Sequence, residues 1–223
     1  MLALILATAV VVADPDGTVP QAVRDEFVDE VVEAFRDPDM AGQIAGLRPG
    51  CTVYTSAPPV IEPMADSDFA YLSENFSIPS ASVSPTKPAV MAHVAVTGCA
   101  TPLQFNLAGF HDGANGRIIL MKGVAGHTLA GMKLQIDALV AVSEAAEAGS
   151  PAGKPAGKPD CQKAVTIEDT SVLSAPADIA SGWHEDWQVN RCGVVSHAEV
   201  SFTPDADGQF GVKVRALPGQ VTP

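Results

Sequence analysis

Residues 198–214 read AEVSFTPDADGQFGVKV, and this stretch decides the fold. Ala198, Val200 and Phe202 alternate with polar residues before Asp205-Ala206-Asp207-Gly208. Phe210, Val212 and Val214 alternate after it. Successive side chains of a strand point to opposite faces, so each arm has one face to bury and one to wet. An Asp-Gly turn between two such arms predicts an antiparallel hairpin.

Working outward, the same series occurs earlier in the chain. Val189-Asn190-Arg191-Cys192 precedes this hairpin, and Val96-Thr97-Gly98-Cys99 precedes another. There Leu103-Gln104-Phe105 leads to Asp112-Gly113-Ala114-Asn115-Gly116 and then to Ile118-Ile119-Leu120. Further upstream each half carries another cysteine, in Pro49-Gly50-Cys51 and Pro159-Asp160-Cys161. Each cysteine opens a β-rich stretch that ends in Ser-Ala-Pro, at residues 56–58 and 174–176.

A helix precedes each series. From Thr18 to Arg36, Val19, Val23, Phe27, Val31 and Phe35 recur every four residues, with acidic residues on the other side. That spacing makes one apolar stripe on a helix. Thr18 is a candidate cap, Pro20 suits the first turn, and Asp37-Pro38 stops the helix. From Thr128 to Ala148, Leu129, Met132, Ile136, Leu139 and Val142 mark a second helix, ended by Gly149 and Pro151. The fold class expected is α+β: antiparallel sheet packed by two amphipathic helices, in two duplicated α-β-β-β-β units. In element order alone this resembles the cystatin-like group; no residue motif supports membership of any family.

The division expected is residues 14–122 for the first unit, 123–149 for the second helix, 150–160 for a Gly/Pro/Lys linker and 161–217 for the second β-rich unit. Residues 59–90 form a Pro/Ser-rich insertion in the first unit. Loops of that length without structure are uncommon in compact domains, so part of it is expected to be ordered.

Residues 2–12 are apolar apart from Thr8, and Val11 and Ala13 fit the small residues before a cleavage site. Residues 1–13 read as a signal peptide, too short for a membrane-spanning helix. No transmembrane anchor is expected after cleavage, and the compartment is periplasmic or extracellular. In an oxidising compartment four cysteines imply two disulfides. The repeat pairs Cys51 with Cys99 and Cys161 with Cys192.

The 223 residues carry 26 acidic and 13 basic side chains, a formal net charge of −13. Such a field repels phosphates, which argues against nucleic acid as a partner. No catalytic, cofactor or metal motif survives inspection. Gly149 to Pro159 contains Gly-Lys twice but lacks the Ser or Thr of a phosphate loop. His184-Glu185-Asp186-Trp187-Gln188 starts like a zinc-protease helix but has Gln188 where the second His belongs. The Asp-rich turns are too short for the twelve-residue calcium loop.

Both tryptophans lie in Trp183-His184-Glu185-Asp186-Trp187. On a strand, Trp183, Glu185 and Trp187 share one face, and His184 and Asp186 the other. The tryptophans either fill a core short of aromatics or, with His184, form an exposed binding surface for a sugar, peptide or wall fragment; core packing is the favoured of the two. The function expected is a non-enzymatic binding or envelope-accessory protein with a protein, peptide or cell-envelope ligand. The alternative is an exported hydrolase using dispersed groups such as His184, Glu185, Asp186 or His197.

Overall fold

The computed structural model describes residues 19–37, 54–55, 58–78, 87–97, 103–112, 116–148, 165–174, 176, 178–191 and 194–216. Its elements in chain order are α1 (Gln21–Arg36), β1 (Tyr54–Thr55), β2 (Val60–Pro63), α2 (Asp66–Phe76), β3 (Val90–Thr97), β4 (Leu103–His111) and β5 (Ile118–Ala125). Then come α3 (Met132–Ala148), β6 (Thr166–Ser174), a short 3-10 turn (Ile179–Ser181), β7 (Trp183–Arg191), β8 (Val194–Pro204) and β9 (Phe210–Ala216).

The fold is α+β, with two antiparallel sheets and three helices among the described residues. The first sheet has the order β1-β3-β4-β5, and β2 also pairs with β3, so β1 and β2 share one lane. The second sheet has the order β6-β7-β8-β9. Each sheet is a four-lane meander entered from a helix, which is the repeat expected from the sequence. The decisive hairpin forms in the expected register, with Val200 opposite Val214 and Phe202 opposite Val212. At its tip the Asp205 carboxylate accepts the amides of Asp207 and Gln209, and Gly208 takes φ +75°. The turn between β4 and β5 closes with the Gly116 amide donating to Asp112, at 2.8 Å.

The helix α1 buries Val23, Phe27, Val31 and Phe35, its every-fourth stripe, against Val90, Ala92, Val94, Phe105 and Leu107 of the first sheet. Each such side chain removed from water contributes about 1.5–3 kcal/mol before ordering costs. Phe27 lies so close to β4 that a Cβ at Gly109 would stand 2.6 Å from its ring. The helix starts at Gln21, with Pro20 as N-cap and no side-chain cap; Thr18 lies outside the described residues. It stops at Asp37, which is extended because Pro38 follows.

The opposite face of the first sheet is covered as well. The expected insertion contains β2 and α2, so the described residues form three helices where two were expected. Leu72 of α2 and Met132 of α3 close over Met91, Ala108 and Phe110. Further along α3, Ala138 and Val142 pack on Trp183, Trp187, Val189, Val200 and Phe202 of the second sheet. One helix therefore supplies side chains to a core of each sheet. Its placement also corrects two boundaries. The strand β5 runs three residues past 122, to Ala125, and α3 begins at Met132 and not at Thr128.

Candidate functional site

The joint between the two units is built from buried polar side chains. Thr128 is not a helix residue because its hydroxyl is used elsewhere: it donates to Glu185 Oε1 at 2.8 Å and accepts the Ala130 amide at 3.0 Å. The first turn of α3 is capped instead from α2. Asp68 accepts the amides of Met132 and Lys133, at 3.1 and 3.2 Å. These are two of the donors that a helix N-terminus leaves free. Burial pushes the Asp68 carboxyl above the ordinary aspartate range, against the pull of those amides and of Lys133. Gly131 is required here, since a Cβ would lie 2.1 Å from Asp68 Oδ2.

Glu185 is fully buried on β7. Its Oε1 accepts from the Trp183 indole at 2.8 Å, the Thr128 hydroxyl at 2.8 Å and the Leu129 amide at 2.9 Å. Its Oε2 accepts from the Trp187 indole at 2.9 Å. A buried carboxylate without donors is costly, and four donors offset that cost. The same bonds fasten the chain before α3 to the second sheet.

A bulge shapes the edge of the first sheet. Between Phe105 and Leu107 of β4 the partner steps from Ala125 to Lys122, so β5 carries an extra residue. The freed backbone groups find side chains. Buried Asn106 donates to the carbonyls of Val124 and Gly126, at 2.8 and 3.0 Å. Gln135 of α3 accepts the Val124 amide at 3.0 Å and donates to the Ala130 carbonyl at 2.8 Å. A Cβ at Gly123 would stand 2.3 Å from Gln135 Oε1, so glycine lets the helix glutamine reach the strand. Beyond the bulge, the His127 amide donates to the Thr170 carbonyl of β6 at 2.8 Å.

These joints leave a cleft of about 240 Å³ between the end of β5 and the start of β6, with α3 as its floor. Val124, Ile136, Leu139, Val165 and Ile167 give it apolar walls. Among the described residues its one charged lining residue is Lys122, whose amine stands 5.2 Å from the centre of the Phe105 ring. Burial pushes that amine below the ordinary lysine range.

The histidines lie elsewhere. On the outer, wetted face of the second sheet, His197 Nδ1 meets Asp186 Oδ2 at 2.8 Å. Beside them His184 Nδ1 meets Ser201 Oγ at 3.0 Å and Glu199 Oε1 at 3.3 Å. The Arg215 guanidinium, 2.6 Å from Glu199, holds that carboxyl below the usual carboxylate range. A serine–histidine–acid relay needs the serine on one ring nitrogen and the acid on the other. Here both use Nδ1. On the first sheet, His93 bridges Asn106 and Glu62, at 2.7 and 3.0 Å, and buried His111 meets Glu26 at 3.3 Å. Among the described residues no group of three or more His, Cys, Asp or Glu is placed to hold a metal ion.

Of the two readings of Trp183 and Trp187, the favoured one, core packing, is what the structure has, and the alternative surface with His184 does not form. Trp183 and Trp187 are 2% and 0% exposed, and Trp183 stacks on Phe202 with ring centres 4.6 Å apart. Only His184 is at the surface, on the opposite face, as strand alternation requires. Cys51, Cys99, Cys161 and Cys192 lie outside the described residues, as do residues 1–13. The cleft itself was missed by sequence reasoning. Asn106 inside an apolar strand and Gln135 between Met132 and Ile136 on an apolar helix face were the available signals; Asp68 and Lys122 carried none. Compared with family models, curated proteins and solved structures, the chain matches none.

Proposed function

We propose that this chain is an exported, disulfide-stapled binding protein whose ligand sits in the cleft where its two units meet. The observation that carries the reading is the cleft: apolar walls drawn from both units, held open by a bulge and by Gln135, with one amine at its rim. Ligand sites favour concave apolar surfaces with a few polar groups, at junctions between units.

The bridges are proposed from the order of the cysteines in the two halves of the sequence. Tyr54 and Thr97 are Cα partners, and Cys51 and Cys99 lie three and two residues along the chain from them. Thr166 and Asn190 are partners, and Cys161 and Cys192 lie five and two residues from them. The two spacings differ, so the pairing rests on the repeated order of the cysteines and not on the strand register.

The hydrolase alternative finds less support. Glu185 is occupied by four donors, and His184 and His197 face away from the cleft on an open sheet. Native mass spectrometry of the protein as purified from its envelope fraction tests the reading. A bound small molecule is expected, lost in Leu139→Trp, which fills the cleft, and kept in His184→Ala and His197→Ala. Ester hydrolysis abolished by the two histidine substitutions, with no ligand sensitive to Leu139→Trp, would replace the binding reading with the hydrolytic one.

A further inference from the structure

We propose that the cleft takes a linear alkyl carboxylate, its chain laid on α3 between β5 and β6 and its carboxylate on the Lys122 amine. This rests on the binding reading above and gives its ligand a chemical class. Three features of the cleft converge on it.

The walls are apolar side chains from three elements, Val124 of β5, Ile136 and Leu139 of α3, and Ile167 of β6. Gln135 spends its amide oxygen on the Val124 amide and its amide nitrogen on the Ala130 carbonyl, and Thr166 is the other polar side chain in the lining. The interior thus rewards an apolar chain and offers a polar one few partners. Among the described residues Lys122 is the single charge in the lining, and no carboxylate lines the cleft with it. Among the described residues its contact is the Phe105 ring, which a carboxylate can leave undisturbed while bonding the ammonium from the cleft side. Lys122 itself is exposed, so its ammonium is open to an anion arriving from solvent. The net charge of −13 opposes any anion at long range. At physiological salt that repulsion is screened beyond about 8 Å, which leaves the amine as the dominant local charge.

The cleft is also small. At about 240 Å³ it falls below the roughly 300–1,000 Å³ of pockets for drug-sized molecules. A single narrow chain suits it better than a ring system or a folded peptide.

The test is calorimetric titration of the full-length mature protein with hexanoate, octanoate and decanoate, and with decanol and decyltrimethylammonium as neutral and cationic probes. Affinity is expected to rise about fourfold for each added methylene that the cleft buries. Decanoate is expected to bind best, and Lys122→Met to weaken it about tenfold while leaving decanol unchanged. Leu139→Trp is expected to abolish binding with the thermal unfolding transition retained. Equal binding of decanoate and decanol, preference for the ammonium probe, or insensitivity to Lys122→Met would overturn the ligand class while leaving a binding cleft in place. No binding of any probe to the wild type would also overturn it; native mass spectrometry then decides separately whether the cleft holds some other molecule.

Discussion

At the residue scale, two buried carboxylates hold the joint between the units, each in a different way. Glu185 is surrounded by donors alone: two indoles, a hydroxyl and an amide. Glu185→Gln turns one acceptor into a donor that faces other donors, and leaves at least one buried N–H or O–H without a partner. A loss of about 2 kcal/mol is expected in chemical denaturation, the usual scale for one unsatisfied buried group. Unchanged stability would mean that the carboxylate does not hold the joint. Asp68 makes fewer bonds, and burial raises its pKa. Its folded pKa is raised, so the folded state binds more protons than the unfolded state between the ordinary aspartate value and the folded one. Stability then falls as pH rises through that window, and protonation favours the fold. In Asp68→Asn this slope should vanish. The stability of the wild type minus that of Asp68→Asn should therefore decrease with rising pH in urea denaturation series. A difference that grew with pH would show that the two amides of α3 outweigh desolvation.

At the element scale, the crossing from β5 to β6 is the tightest point. Gly126 has φ +99°, and an added Cβ would stand 2.0 Å from the Thr170 amide nitrogen. Backbone strain and a clash with backbone act together, so Gly126→Ala is expected to cost about 3 kcal/mol or more in thermal or urea unfolding. A cost under about 1 kcal/mol would mean that the two strands do not meet there. This crossing also marks the limit of what the sequence made legible. Periodicity gave α1, because Val23, Phe27, Val31 and Phe35 repeat at one angular position. Alternation about Asp-Gly gave the second hairpin, because turn chemistry and strand period agree. The start of α3 was misplaced because Thr128 and Leu129 carry the right residue types for a helix start, while their bonds go to a carboxylate 57 and 56 residues away. The helix α2 was missed because Asp66–Phe76 lies in a segment whose Pro and Ser content hides a short apolar stripe, Phe69 and Leu72. The cleft was invisible for a related reason. Its walls come from β5, α3 and β6, and only a register shift of one residue on β5 creates the gap between them.

At the scale of the whole molecule, two helix-on-sheet units share α3 and are joined by polar contacts that carry no repeat of their own. The proposed bridges would each close one unit. By loop entropy each contributes about 4 kcal/mol. Peptide mapping without reduction should recover Cys51 joined to Cys99 and Cys161 joined to Cys192, and reduction should lower the midpoint of thermal unfolding. Cross-unit pairs or four free thiols would contradict the stapled account. The central claim is that the seam, and not the histidine-bearing outer face, is the working surface. Backbone amide NMR of the oxidised, isotope-labelled protein titrated with decanoate tests it most directly. The account predicts shifts concentrated at residues 122–125, 135–139 and 165–167, with His184, His197 and Ser201 unmoved. Shifts confined to the outer face of the second sheet, or none at the seam at saturating decanoate, would contradict it.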